Sequence, residues 1–250
     1  MSAARHLRLV EGERGELEVN TAIVRSFLDV GESEPVELTA FAEARIHIAH
    51  ALCEAEHVRL LREAEDIRGF NGAYQLVNGP MDPALLARYQ TGRWHKAWNG
   101  RATDRDIQQL RAVFIDCDPV RPKGISATDE QRQEAWDVCS AMESWLGSEL
   151  GVDALGHGSS GNGFFTLIAI EPCVPSAETA QRIAKFLALL NKKYGTARVK
   201  IDTSVHNAAR LMPAPGTWKR KGTNTPERPH RMTSFVCRQT VRRVPLEVIA

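Results

Sequence analysis

Two aspartates two residues apart, Asp116 and Asp118 in AVFIDCDPV, stand where an apolar run meets a proline turn. Side chains at i and i+2 of a strand point to the same face, so both carboxylates can serve one site. Carboxylate oxygens are hard ligands that suit Mg²⁺ or Mn²⁺. Such ions bridge nucleotide phosphates and polarise the attacking and leaving oxygens of phosphoryl transfer. An Asp-x-Asp at a strand end is more often a plain turn, so the pair needs company. Asp202 in KIDTSV offers it. It also closes an apolar run, where a lone Asp is usually a cap. A third carboxylate converging with the first two would complete the acidic set of a two-metal site.

The segments between and after these acids suit phosphate. The loop HGSSGNGFF carries Ser160, Gly161, Asn162 and Gly163, small residues whose backbone N–H groups can form an anion-binding nest. It has neither the Walker spacing with its lysine nor a dinucleotide fingerprint. Beyond Asp202, the segment NAARLMPAPGTWKRKGTNTPERPHR gathers Arg210, Lys219, Arg220, Lys221, Arg228 and Arg231. Cations there can neutralise a triphosphate or hold a template backbone. Between 198 and 243, eleven Lys and Arg face only Asp202 and Glu227, so a net charge of +1 hides a basic C-terminal face. That asymmetry suits a polyanionic partner. Trp94 and Trp98, in a basic stretch with Arg93, Lys96 and Arg101, could stack on bases. Covering a core edge is the commoner role and is the one expected. Trp218, inside the basic segment, is the better candidate for lining a cleft.

Stepping outward, the periodicity predicts the elements that must position these groups. Residues 1–19 read as a loosely held start. Thr21 reads as the cap of a helix over 22–29. VELTAF and RIHIAHAL read as a hairpin, 54–66 as a helix and 72–78 as a strand closed by the Asn78-Gly79-Pro80 turn. A short helix is expected over 83–90, a loop over 91–103 and a helix capped by Thr103. Residues 111–118 read as a strand and 127–147 as a long helix burying Ala135, Val138, Met142 and Trp145. Next come a Gly/Ser/Asn loop over 156–163, a strand over 164–170, a helix over 176–193 and a strand over 197–202. VPLEVIA reads as the start of another helix, which leads us to expect a continuation such as a helicase domain. This mixture of strands and helices argues for an α+β or α/β sheet protein.

A chain of 250 residues, 43% hydrophobic and 25% charged, can bury a substantial core. No apolar run reaches the length of a membrane span. The five cysteines are odd in number, scattered and without a CxxC pair, which fits reduced thiols in a cytoplasmic protein.

Taken in order, FIDCDPVRPKGISATDEQ, SSGNGFF and KIDTSVHNAARLMPAPGTWKRKGTNTPERPHR resemble the archaeo-eukaryotic primase superfamily. The likeness is to the primase–polymerase domains of phage, plasmid and mobile-element replication proteins. It spans roughly residues 36–245. The resemblance implies an N-terminal α/β unit, here 20–110, and an RRM-like catalytic unit, here 111–245, with the site in the cleft between them. Residues 246–250 would begin a C-terminal extension. It maps the metal-binding catalytic acids onto Asp116, Asp118 and Asp202, with Mg²⁺ or Mn²⁺ as a two-metal cofactor. Nucleoside triphosphates and a single-stranded DNA template are the implied partners. Nucleotide contacts fall on the Ser160–Gly163 loop, Arg210, Lys219 and Lys221, and nucleic-acid contacts on Trp218, Arg220, Arg228 and Arg231.

One departure matters. The family's second motif places a phosphate-binding histidine where this chain has Phe165, which cannot donate a hydrogen bond. His206 stands where the family has an apolar residue, and it or His157 is a candidate substitute. For His157 a solvated loop histidine is the expected role. Two functions therefore compete: a template-directed polymerase, and a nucleotide or single-strand binding module that has lost synthesis. A metal-dependent nuclease accounts less well for the order of the motifs.

Overall fold

The computed structural model describes residues 16–43, 45–153, 155–237 and 241–249. In chain order the first half runs α1 (Glu16–Phe27), β1 (Val36–Ala42), β2 (Arg45–Ala51), α2 (Glu54–Ala64), β3 (Phe70–Leu76), the single turn α3 (Pro83–Leu86) and β4 (His95–Lys96). The second half runs β5 (Leu110–Pro119), α4 (Asp129–Leu150), β6 (Leu155–Ser159), β7 (Phe164–Cys173), α5 (Ala177–Tyr194), β8 (Val199–Ile201), β9 (Leu211–Pro213), β10 (Trp218–Lys219), β11 (Arg231–Met232) and β12 (Ser234–Cys237).

The strands form two five-stranded sheets whose pairings are antiparallel, so the fold is α+β. The first has the order β4-β2-β1-β3-β9 and the second β12-β6-β7-β5-β8, while β10 and β11 pair as a separate ribbon. In the first sheet, alternation puts Leu38, Ala40 and Ala49 on the face covered by Leu60, Leu61 and Ala64 of α2. In the second, the long apolar strands β5 and β7 are covered by α4 on one side, and α5 packs beside it on β8. On the other side α1 packs over β12, with Phe27 and Phe235 edge to face at 5.3 Å. Among the described residues no helix is long and apolar enough to cross a membrane.

The hairpin and most central elements lie where periodicity puts them, and five readings are corrected. Thr21 does not cap α1. It is buried inside a helix that already includes residues 16–19, while residues 1–15 lie outside the described ones. α4 buries Ala135, Cys139, Met142 and Leu146, so Val138 and Trp145 sit at the margins of its stripe. Residues 155–159 are a strand and not loop, because β12 and β7 pair with both of its edges. The expected helix after Thr103 is a single 3₁₀ turn, Asp104–Asp106, and residues 246–248 likewise form a 3₁₀ turn. Two elements cross the boundary expected at residue 110. α1 packs into the core of the second sheet, and β9 returns to join the first.

Asn78 fastens this crossover. Its Oδ1 accepts from the N–H groups of Arg111 and Ala112 at 2.8 and 3.1 Å, and its Nδ2 donates to Ala208 O at 3.2 Å. Val77 N–H donates to Arg210 O. One buried amide thus ties the end of β3, the start of β5 and the β8–β9 connection, satisfying groups that would otherwise be costly to bury.

Candidate active site

β5 is buried along most of its length but opens at Asp116 and Asp118, the two positions that share a face with Phe114. β8 pairs with the same strand, Cys117 opposite Ile201, and Asp202 N–H donates to Asp116 O at 2.9 Å. Strand register therefore brings Asp202 beside Asp116. Asp202 keeps its capping role with one oxygen, since Oδ1 accepts from Ser204 N–H and Oγ–H at 2.8 and 2.7 Å. Asp118 Oδ2 lies 3.5 Å from Arg121 Nη1.

The electrostatics follow from crowding three acids at the mouth of a core. Burial, then the charges of Asp118 and Asp202, push the Asp116 carboxyl well above the usual range, while Arg210 and Lys221 pull it back. Around the acids stand Arg121, Arg210, Lys219 and Lys221. Lys219 is buried, donates to Tyr74 Oη and lies 4.2 Å from the Tyr74 ring centroid. Burial, then Lys221, pull its pKa down to about 7 against support from Asp118 and Asp116. Burial and the same two aspartates raise the Tyr74 hydroxyl. Arg210 and Lys221 are both lowered, chiefly by burial. The acids are thus ringed by cations that are themselves short of counter-charge.

The SSGNG loop packs against this ring, and its backbone N–H groups are engaged within the loop. Ser160 Oγ accepts from the N–H groups of Asn162 and Gly163, Ser159 Oγ accepts from Gly161 N–H, and Ser160 N–H donates to Gly163 O. Asn162 Oδ1 accepts from Ala127 N–H. The expected nest is therefore already filled by the loop's own hydroxyls. Its glycines serve close approach. A Cβ on Gly163 would lie 2.4 Å from Cys117 O and 2.6 Å from Asp118 Oδ1, and one on Gly161 2.8 Å from Lys219 Cβ.

Phe165 lies directly across from Asp116 and on the same sheet face, but its ring is fully buried between Phe114 and Phe235 at 5.5 and 6.1 Å. It walls the site and offers no contact to a ligand. His206 is at the margin, with Nδ1 3.1 Å from Thr203 O and no bond to the acids among the described residues. His157 belongs to β6 and not to a loop. It lies 3.9 Å from Glu143, on the helix-covered side of the sheet.

The outer basic residues also fall elsewhere than expected. Arg231 donates to Ala127 O and pairs with Asp129, and Arg228 donates to Ser126 O and Gln131 Oε1. Both guanidiniums anchor the 222–231 segment to the start of α4. Trp218 shares β10 with Lys219 and so points to the opposite face, and Arg220 follows just after the strand. Trp218 N–H donates to Glu65, and Arg220 pairs with Glu65 and covers Phe70. Trp94 packs on the first-sheet core as expected and donates Nε1–H to Leu60 O, whereas Trp98 is 66% exposed. Sequence reasoning missed Tyr74 and Arg121. The position of Arg121, three residues after Asp118, was the available signal.

Among the described residues no group of three or more His, Cys, Asp or Glu side chains is placed to hold a metal ion. The donor chemistry still fits one. Mg²⁺ commonly takes one or two carboxylates and completes its shell with phosphate oxygens and water. The repulsion that raises Asp116 is what a divalent cation relieves. Neither the comparison with protein-family models nor that with curated proteins returns a match to this chain.

Proposed function

We propose that this chain is a primase–polymerase domain of the archaeo-eukaryotic primase type, joining nucleotides on a nucleic-acid template. The observation that carries this reading is the meeting of Asp116, Asp118 and Asp202, from two paired strands, beside Arg121, Arg210, Lys219 and Lys221. The two antiparallel sheets joined through the 202–210 connection are compatible with the two-unit fold expected of that family.

In this reading the three aspartates would hold Mg²⁺ or Mn²⁺ once substrate phosphates complete the shell. The bound ions would supply charge neutralisation and polarise the attacking and leaving oxygens. Arg210 and Lys221, both already near the acids, bind the triphosphate and the charge that develops on departing pyrophosphate. Lys219, fixed on Tyr74, gains its full charge when phosphate arrives. Gly163 and the SSGNG loop hold the backbone of Asp118 in place.

A second reading has one observation in its favour. Phe165 and the internally bonded loop leave the second motif without a histidine or a free backbone donor, which suits a module that binds nucleotide or single-stranded nucleic acid without synthesis. Primer synthesis and extension with Mg²⁺ or Mn²⁺ separates the two. The polymerase reading expects product from the wild type and a loss of at least about 10²–10³ in the Asp116→Ala/Asp118→Ala variant. Salt-dependent single-strand binding with no product from the wild type favours the binding module.

A further inference from the structure

Trp98 is an anomaly for a residue of its kind. Its indole is 66% exposed, where Trp218 is 37% exposed and Trp94 is packed. An open indole in a mobile loop would mean little, but this one is braced. Tyr89 and His95 support the ring at 5.8 and 6.0 Å. Tyr89 Oη accepts from Asn99 N–H at 2.7 Å and donates to Gly100 O. Ala97 N–H donates to Ile46 O, which ties the loop to β2. The side chain is thus held ready at little further loss of entropy, the condition for an effective contact surface.

A groove of about 560 Å³ runs beside it, lined by Ile46, Ala97, Gly100, Arg101, Ala102 and Thr103. Ile46 lies across from Phe41, on the sheet face that carries Tyr74 and so Lys219. At the other side Arg101 is an electrostatic neighbour of Arg210, itself a neighbour of Asp116 and Asp202. The groove therefore lies on the sheet face that carries Tyr74, with Arg101 on the side nearer Arg210. Arg45, Lys96 and Arg101 form no ion pair among the described residues, and burial, then Lys96 and Arg45, lower the pKa of the neighbouring His47. Unpaired cations beside an open indole suit a polyanion with free π-faces. Unstacked bases offer such faces, whereas in a duplex they are covered.

We propose that Trp98 and the groove beside it are a stacking platform for single-stranded nucleic acid, guiding the template toward the carboxylates. Its purpose rests on the nucleotidyl-transfer reading above, but its binding does not. The test uses the whole chain, a fluorescent oligothymidylate and, in parallel, a nucleoside triphosphate with Mn²⁺. Trp98→Ala is expected to weaken oligonucleotide binding about tenfold or more, with triphosphate affinity unchanged. Trp98→Phe keeps a stacking ring and is expected to stay within about threefold of the wild type. Arg101→Gln is expected to reduce the slope of log affinity against log salt by about one ion. Unchanged oligonucleotide affinity in Trp98→Ala overturns the platform and leaves the proposed function standing. So does an equal loss in the Phe and Ala variants. Trp98-dependent binding without any triphosphate binding supports the platform and removes the nucleotidyl-transfer reading.

Discussion

Asn78 and Arg111, where β3 and β5 meet, form a polar cluster in which nearly every group is answered. The amide serves three backbone partners, and Arg111 holds Glu34 through two hydrogen bonds of 2.6 and 2.9 Å. Further along the same β5 strand, Asp116 and its neighbours are left in conflict. Acids repel one another, and a lysine is buried until its pKa approaches neutrality. Both clusters join the two sheets. The first is organised to be stable by itself, the second to be completed by something else. A fold that tolerates such conflict at one place marks that place as a functional candidate.

The largest effect should come from breaking the satisfied cluster. Asn78→Ala strands two buried N–H groups and one carbonyl, and the expected loss is roughly 3–5 kcal/mol, read as a lower urea midpoint. The acidic cluster should behave in the opposite sense, as the next two predictions specify.

Lys219 comes second. Its folded value of about 7 lies below the ordinary lysine value of 10.5, so the unfolded chain holds more protons between these limits. Its burial therefore weakens the fold most below pH 7, and stability recovers as pH rises toward 10.5. A bound triphosphate favours the charged form, so binding at pH 8 should take up close to one proton. Affinity should fall by up to about tenfold per pH unit above 7. Calorimetry in two buffers of different ionisation enthalpy measures this uptake, and Lys219→Met should abolish it.

The smallest expected effect is a gain. Asp116 has a folded pKa above its unfolded value, so its contribution to stability is present below the unfolded value of about 3.8 and is lost as pH rises through the folded one. In chelator, Asp116→Asn should therefore raise stability by about 1 kcal/mol at pH 8, with the gain vanishing near pH 4. A destabilised Asp116→Asn at pH 8 would show that the acids are not in conflict.

The candidate acids were legible because strand geometry alone aligns residues 116 and 118, and an apolar run ending at Ile201 marks a strand end. The hairpin and the long strands were legible for the same reason. What escaped depends on contacts distant in sequence. Nothing near Arg228 or Arg231 reveals that the start of α4, about a hundred residues away, accepts their donors. Tyr74 joins the site only because Lys219 reaches it from the β10–β11 ribbon. The SSGNG loop misled because its composition suits phosphate equally well, and only the rotamers of Ser159 and Ser160 decide who receives the N–H groups. The exposure of Trp98 against the cover of Trp94 was likewise undecidable from spacing, since both lie in one basic stretch.

The central claim is that Asp202 acts with Asp116 and Asp118 on the same divalent cations. Mn²⁺ titration in the presence of a non-hydrolysable nucleoside triphosphate tests it most directly, comparing the wild type with Asp202→Asn. The account predicts saturable Mn²⁺ binding by the wild type, weakened at least about tenfold in the variant. Equal Mn²⁺ affinity in the two proteins would contradict it.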